Sequence, residues 1–131
     1  MAPCRLSSRR SVPASNTNAE TPESWAYSPR TPSTDPASLS ERLADGSVYV
    51  LDVRQAHEWR HGHIHGAHNV PLLQLKGHLA SIPRENTIVT VCASGHRSAA
   101  AARALQSVGY EVENLKGGMR AWTRARLPVE R

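Results

Sequence analysis

The sequence predicts an α/β domain in which a central, mostly parallel β-sheet carries helices on both faces. Short apolar runs typical of buried strands alternate along the chain with longer segments of helical periodicity. Parallel strands need helical crossovers between them, so this alternation favours a parallel sheet. With 131 residues, of which 39% are hydrophobic, the chain suits one domain of ordinary core size. Because the chain contains no Phe, that core must be largely aliphatic.

The chain divides into two segments of different composition. Residues 1–33 are rich in Ser, Pro and Arg and lack apolar periodicity, which predicts a disordered N-terminal extension. Residues 34–131 then form the folded domain. The first 19 residues hold three Arg and no acid, as organelle transit peptides do. Organellar targeting therefore stays open beside the simpler interpretation of a disordered tail.

The domain should contain three principal strands separated by helices. In chain order we predict a helix over 36–45, a strand over 48–51, a brief helix over 56–60, a leucine-rich helix after Pro71, a strand over 87–91, a helix over 97–108, a short strand over 112–115 and a closing helix over 119–125. Thr34 or Asp35 can cap the first helix, whose first turn begins with Pro36. Gly109 terminates the long helix, and Gly117-Gly118 turns the chain before the last one.

Cys92 is the strongest candidate for chemistry. It leaves the strand over 87–91 and enters a short loop that opens directly onto a helix. Backbone N–H groups at a helix start, the positive end of the helix dipole and the neighbouring Arg97 all favour a thiolate. The spacing is Cys-x4-Arg-Ser, with Gly95 where the backbone must bend. Six residues can curl so that successive N–H groups point at one sulfur, which predicts a nucleophilic cysteine.

This loop resembles the catalytic loop of the rhodanese, or thiosulfate sulfurtransferase, family. The resemblance extends from about Thr34 to Glu130, and three further stretches carry it: Leu51–Arg54 with Glu58 and Trp59, then Gly62–Leu72, and finally Tyr110–Trp122. It implies a single-domain protein with the rhodanese-like three-layer fold. It also implies that the Cys92 thiolate takes the sulfane sulfur of a donor such as thiosulfate, releases sulfite and holds the sulfur as a persulfide. Cyanide or a cellular thiol then removes that sulfur.

The resemblance implies that the residues after Cys92 bind the substrate: Ala93, Ser94, Gly95, His96, Arg97 and Ser98. Most of them would act through backbone N–H groups, and Ser98 is expected to serve the helix start more than the chemistry. A charged His96 could lower the thiol pKa, or the ring could have no role. Arg97 could bind the anionic donor or pair with a carboxylate that holds the loop closed. We expect Asp52 to be that loop-stabilising partner.

The sequence departs from the family pattern at two positions. Ala93 follows the cysteine where a basic residue is common, and His65 stands where many relatives carry Pro. The first departure makes a donor other than thiosulfate, such as a persulfide or a mercapto acid, more plausible. No cofactor is expected beyond the covalent persulfide, and the expected partners are a small anionic sulfur donor and a thiophilic acceptor. A protein that receives the sulfur for cofactor or tRNA synthesis stays open.

Two rival functions remain. Phosphatases and arsenate reductases occur on rhodanese-like folds, but their phosphatase loops have one more residue, Cys-x5-Arg, than the loop from Cys92 to Arg97. A non-catalytic module that binds a partner protein is the other rival, although such modules often lack the cysteine. The dense histidine run suggests a metal site, but no acid or cysteine completes a convincing set, so we predict none; the run comprises His61, His63, His65 and His68.

The net charge and the number of cysteines limit the partners and the cell compartment that this protein can have. The net charge of +5 is spread along the chain without a dense basic run, so we predict no nucleic-acid partner. No run of 18 apolar residues exists, so we predict no membrane partner. Cys4 and Cys92 are the only cysteines, and a structural disulfide is not expected. A single reactive thiol suits a reducing compartment, and we predict a cytoplasmic location.

Overall fold

The computed structural model describes residues 31–131 of the chain, and these build one parallel sheet with helices on both faces. The sheet has the order β1-β5-β4-β2-β3, with every pair parallel: β1 (Ser33–Thr34), β2 (Val48–Asp52), β3 (His68–Asn69), β4 (Thr87–Val91) and β5 (Val112–Leu115). The helices are α1 (Pro36–Asp45), α2 (Ala56–Arg60), α3 (His96–Ser107) and α4 (Gly118–Arg124), with a 3₁₀ segment over Leu72–Ser81. The predicted fold class is confirmed.

The sheet separates two apolar cores. Leu105 of α3 belongs to the core on one face, while Leu39 of α1 and Trp122 of α4 belong to the core on the other. Successive residues of β4 alternate between them, Ile88 facing the first core and Val89 the second. Because β4 is buried on both faces, it reads as a continuous apolar run in the sequence.

The first helix begins and ends as its sequence predicts. Asp35 is the N-cap, and its carboxylate accepts a hydrogen bond from the backbone N–H of Ser38 at 2.8 Å. Pro36 occupies the first turn, where its missing N–H costs nothing. At the other end Gly46 takes the left-handed conformation at φ 71°, which a residue without Cβ adopts most readily.

The leucine-rich segment and the two edge strands, β1 and β3, differ from the prediction. The leucine-rich helix after Pro71 is a 3₁₀ helix, a geometry in which residues three apart share a face. That spacing directs the buried Leu75 and the partly buried Leu72 towards the same core. At the N-terminal boundary, Ser33 already lies in β1, paired with Asn114 of β5. Of the disorder predicted for residues 1–33, the part over residues 1–30 lies outside the described residues.

None of the helices within residues 31–131 combines the length and the apolar character needed to cross a lipid bilayer.

Leu105→Ala tests the packing of α3 on the sheet. Leu105 is fully buried, so its truncation should lower the free energy of unfolding by about 2–5 kcal/mol. The matched control is Leu73→Ala, because the Leu73 side chain is 90% exposed and its loss should change stability by no more than about 0.5 kcal/mol. Urea unfolding of both variants provides the comparison. Equal losses of unfolding free energy in the two variants would contradict the packing of Leu105 described here.

Candidate active site

The loop between β4 and α3 curls around the sulfur of Cys92. Cys92 directly follows β4 at the carboxyl edge of the sheet, and it is 1% exposed. The backbone N–H of Gly95 donates to Sγ at 3.1 Å, and that of Ser98 donates at 3.3 Å. These inward N–H groups are the arrangement that the loop sequence predicts, and such a concave set of donors stabilises an anion.

These surroundings lower the pKa of the Cys92 thiol below its ordinary value. Burial acts in the opposite direction and raises the pKa, because a charged sulfur loses water there. The hydroxyl of Ser98 and the backbone N–H groups of Ser98, Gly95 and Ser94 outweigh burial by donating to the sulfur. The thiolate fraction at neutral pH is therefore larger than for an ordinary cysteine, and the thiolate is the nucleophilic form.

The start of α4 holds the outer side of the same loop. The backbone N–H of Met119 donates to the carbonyl of Cys92 at 2.8 Å, and that of Arg120 donates to the carbonyl of Ala93 at 3.0 Å. This approach needs Gly118, whose φ is +59° and where an added Cβ would lie 2.3 Å from the Cys92 carbonyl oxygen. The Gly117-Gly118 turn therefore does more than change the direction of the chain, because it brings these two donors to the loop carbonyls.

Ser98 reaches the sulfur with its side chain as well as its backbone. Its hydroxyl lies 3.3 Å from Cys92 Sγ and 2.5 Å from Oδ1 of Asn114. Asn114, at the end of β5, also donates from Nδ2 to the carbonyl of Gly95 at 3.4 Å. The N-cap of α3 is Gly95 and not Ser98, so the expectation that Ser98 mainly serves the helix start is wrong. The buried hydroxyl lies between the reactive sulfur and Oδ1 of Asn114, two acceptors for its single proton.

Arg97 forms an ion pair, but with a different partner from the one predicted. Its Nη1 lies 2.7 Å from Oε1 of Glu58, and its Nη2 lies 2.9 Å from Oε2. Hydrogen bonds from Arg97 lower the pKa of Glu58 to about 2 against the opposing effect of burial, so the carboxylate is charged at neutral pH. The expectation that Asp52 pairs with Arg97 is wrong. The two-pronged contact with Glu58 uses one whole edge of the guanidinium.

Asp52 is committed to Arg54 instead. The Arg54 side chain donates to both oxygens of Asp52, with Nε 2.9 Å from Oδ1 and Nη2 2.7 Å from Oδ2. Both residues are buried, and Nη2 of Arg54 also donates to the carbonyl of Gly62 at 2.9 Å. Through Arg54, Asp52 stabilises the turn that leads into α2, the helix that contains Glu58. Asp52 therefore acts on the Cys92 loop indirectly, because Glu58 and not Asp52 binds Arg97.

The other loop residues contribute in different ways. Gly95 has φ 109°, a conformation that L side chains rarely adopt, and it lets the backbone turn its N–H towards the sulfur. His96 is exposed, and its Nδ1 lies 3.2 Å from the Ser94 hydroxyl. Its effect on the thiol pKa remains a prediction. Ala93 is half-buried and brings no charge to the position after Cys92.

The histidine run is engaged in local contacts. The ring of His63 stacks on Trp59 with centroids 3.5 Å apart, and the ring of His68 stacks on Tyr49 at 4.3 Å. His65 pairs with Glu130. Within residues 31–131, no group of three or more His, Cys, Asp and Glu side chains is arranged to hold a metal ion.

Sequence reasoning missed two residues of the site, Arg54 and Asn114, and the pairing of Glu58 with Arg97. Glu58 and Arg54 stand in stretches that carry the family resemblance, but no local pattern reveals which charges pair across the fold. The sequence contains one weak indication that Asn114 belongs to the site, because it is a polar residue beside the buried Leu115 at the carboxyl end of a strand. In this parallel sheet the carboxyl end of β5 lies next to the carboxyl end of β4, from which Cys92 follows.

Gly118→Ala tests the contact between α4 and the catalytic loop. A Cβ at this position would collide with the Cys92 carbonyl and force a strained φ, which should lower stability by about 1–3 kcal/mol and slow alkylation of Cys92. Gly77→Ala is the matched control, because nothing lies within 4 Å of its Cβ position. Urea unfolding and iodoacetamide kinetics give the two readouts. If Gly118→Ala kept the wild-type stability and alkylation rate, the close approach of α4 to the Cys92 loop would not be needed.

Comparison with known proteins agrees with this geometry. Residues 35–125 match the sequence profile described as the Rhodanese-like domain. A protein named Sulfurtransferase from Allochromatium vinosum is 39% identical over 97 residues, which cover 72% of this chain and 91% of that protein.

Solved structures give the same result. A rhodanese-related protein from Thermoplasma volcanium is similar with a TM-score of 0.72 and 31% identity, over 76% of this chain and 97% of that one. The thiosulfate sulfurtransferase of Pseudomonas aeruginosa is similar with a TM-score of 0.72 and 33% identity, over 78% of this chain but only 20% of that one.

The profile match over residues 35–125 agrees with the all-parallel sheet and with the cysteine loop after β4, whose N–H groups face the sulfur. Relatives of this chain include proteins named sulfurtransferase. The chain belongs to the rhodanese-like family.

Proposed function

We propose that this protein is a sulfurtransferase that carries a sulfane sulfur on Cys92 as a persulfide. The observation that carries the proposal is the set of donors on Sγ, namely the N–H groups of Gly95 and Ser98 and the hydroxyl of Ser98. Such a set stabilises the anionic sulfur before the reaction. It also suits the persulfide anion afterwards, because the negative charge stays inside the same loop.

The first half-reaction is a displacement at sulfur. The Cys92 thiolate attacks the outer sulfur of a donor such as thiosulfate, and a new S–S bond forms at Sγ. The bond between the two sulfurs of the donor breaks, and sulfite leaves with that electron pair. The product is a Cys92 persulfide, and no outside oxidant or reductant is required.

The second half-reaction regenerates the thiolate. A thiolate acceptor, or cyanide, attacks the outer sulfur of the persulfide. The S–S bond to Cys92 breaks, its electrons return to Sγ, and the acceptor leaves as its own persulfide or as thiocyanate. No separate cofactor takes part, and the partners are a small anionic donor and a thiophilic acceptor.

The length of the Cys92 loop argues against phosphatase chemistry. A phosphatase loop has one more residue, Cys-x5-Arg, which gives room for a tetrahedral phosphate, whereas four residues separate Cys92 from Arg97. A sulfurtransferase needs from its loop chiefly donors on a single sulfur, which the loop has. In a non-catalytic binding module the three donors around Cys92 Sγ would have no chemical role.

Cys92→Ser tests the persulfide directly. Intact mass spectrometry after incubation with thiosulfate, or with 3-mercaptopyruvate in parallel, should show a gain of one sulfur in the wild-type protein and none in Cys92→Ser. Cys4→Ser is the matched control and should gain the sulfur normally. No gain with either donor in the wild-type protein would refute the proposal and favour the partner-binding module.

Ser98→Ala tests how the thiolate is stabilised. Because the Ser98 hydroxyl lowers the thiol pKa, its removal should raise that pKa, so the pH profile of Cys92 alkylation by iodoacetamide should move to higher pH. At neutral pH the rate should fall several-fold, since fewer molecules are in the thiolate form. Ser94→Ala keeps its backbone N–H and should leave the profile in place. A profile that does not move in Ser98→Ala would mean that the N–H groups alone set the pKa.

A further inference from the structure

We propose that Asn114 is a positioning residue of the sulfur-transfer cycle, whose side-chain oxygen holds the Ser98 hydroxyl while Cys92 Sγ is uncharged and releases it when Sγ becomes a thiolate. Asn114 acts only through Ser98, because among the residues that the structure describes its side chain makes no hydrogen bond to the sulfur. The effect on the thiol stands on the geometry alone, whereas the effect on the persulfide rests on the proposed function.

The Ser98 hydroxyl has two acceptors within reach. Its oxygen lies 3.3 Å from Cys92 Sγ and 2.5 Å from Oδ1 of Asn114. Ser98 is fully buried, so bulk solvent does not reach the hydroxyl. Because a hydroxyl carries a single proton, it donates to the sulfur or to the amide at any moment. The direction of the O–H bond therefore depends on which of the two acceptors is stronger.

Asn114 is held in place by the sheet. It lies in β5, which pairs with β4 on one side and with β1 on the other. Its Nδ2 donates to the carbonyl of Gly95 at 3.4 Å, and because that carbonyl can only accept, the amide oxygen must face Ser98. The hydroxyl of Thr90 on β4 lies 2.9 Å from the Ser98 carbonyl and 3.5 Å from Oδ1 of Asn114. The shorter contact takes the Thr90 proton, so Oδ1 is left to the Ser98 hydroxyl.

The charged side chains around this arrangement do not compete for the hydroxyl. Three acids on the surrounding elements are bound to arginines: Glu58 of α2 to Arg97, Asp52 of β2 to Arg54, and Glu113 of β5 to Arg42. The other titratable residues on α3 and α4 and next to β5 are exposed: His96, Arg103, Glu111, Lys116, Arg120 and Arg124. Within residues 31–131 none of these groups shares a hydrogen bond with Ser98 Oγ. The hydroxyl therefore chooses between the sulfur and a neutral amide.

The charge on Sγ changes during the cycle, and the hydroxyl follows it. A thiolate is a stronger acceptor than an amide oxygen, because hydrogen bonds to ions are about twice as strong as neutral ones, whereas a neutral sulfur is a weak acceptor. In the thiolate form the hydroxyl therefore donates to Sγ. When the new S–S bond forms, the negative charge passes to the outer sulfur, and the O–H bond rotates towards Oδ1 of Asn114. The proton stays on Ser98 Oγ throughout.

Asn114 therefore stabilises the two forms in which Sγ is neutral, the thiol and the persulfide. Without the amide oxygen, the buried hydroxyl has only Sγ to donate to, so its hydrogen bond favours the thiolate. Loss of the acceptor should lower the pKa of the Cys92 thiol and make Cys92 a better leaving group. Damage to the loop would have the opposite effect, since it would remove donors from the sulfur.

Asn114→Leu removes the acceptor with little change in side-chain shape. The pH profile of alkylation by iodoacetamide, followed on the Cys92 peptide of the full chain by mass spectrometry, should move to lower pH by about 0.5–1 unit. In the Ser98→Ala background the same substitution should move the profile by less than about 0.2 units, because no hydroxyl is left to hold. The matched control is Glu113→Gln, the preceding residue of β5, whose partly exposed carboxylate binds Arg42. It should leave the profile in place.

Discharge of the preformed persulfide gives a second readout. With 2-mercaptoethanol as acceptor, Asn114→Leu should release the sulfur roughly two- to threefold faster than the wild-type protein, because a thiol of lower pKa leaves faster. In the Ser98→Ala background, the proteins with and without Asn114→Leu should release it at the same rate.

A profile that moves to higher pH in Asn114→Leu, that stays in place, or that moves equally with and without the Ser98 hydroxyl would overturn the proposal. A shift to higher pH would mean that Asn114 only holds the loop through the Gly95 carbonyl. If circular dichroism shows that Asn114→Leu does not fold, Asn114→Val replaces it, since a β-branched residue suits a strand and also lacks an acceptor. If no persulfide forms in the wild-type protein, the proposed function fails, and the alkylation profiles alone decide the role of Asn114.

Discussion

A loop that points its N–H groups at one atom must direct its carbonyls the other way, and those carbonyls need partners of their own. Here the partners come from the first turn of α4, where the N–H groups of Met119 and Arg120 bind the carbonyls of Cys92 and Ala93. The approach is possible only because Gly118 has no side chain. The geometry that favours the thiolate thus depends on a contact between the loop and a helix that begins only at Gly118.

Charge is arranged around the site in linked pairs. The buried Asp52–Arg54 pair joins the end of β2 to the turn that follows it. That turn leads into α2, where Glu58 binds Arg97 at the start of α3. Burying a lone Asp52 or Arg54 would be costly, so each requires the other. The Arg97 charge is balanced within the protein, while the sulfur receives its stabilisation from neutral donors. A site built this way changes little in local charge when the thiolate becomes a persulfide anion.

The architecture could be predicted from the sequence because strands buried on both faces leave unbroken apolar runs, as in β4, and because glycines and prolines mark where elements begin and end. The nucleophile could also be predicted, because the strand, the cysteine, the glycine and the helix start follow one another in one local stretch. The partner of Arg97 was not predictable in this way. Glu58 lies 39 positions away in the chain, and the choice between Glu58 and Asp52 is settled by Arg54, which binds Asp52 from two positions away. Asn114 was missed for a similar reason, since its role depends on the register of β5 against β4.

The outermost strands of the sheet have a consequence for how this protein behaves at high concentration. In the described part of the chain β1 and β3 contain two residues each, so the edges of the sheet offer few free backbone groups to a neighbouring molecule. Long, flat edges recruit strands from other chains and lead to aggregation. Within residues 31–131, the sheet therefore has no long, flat edge strand at which two copies of this domain would pair.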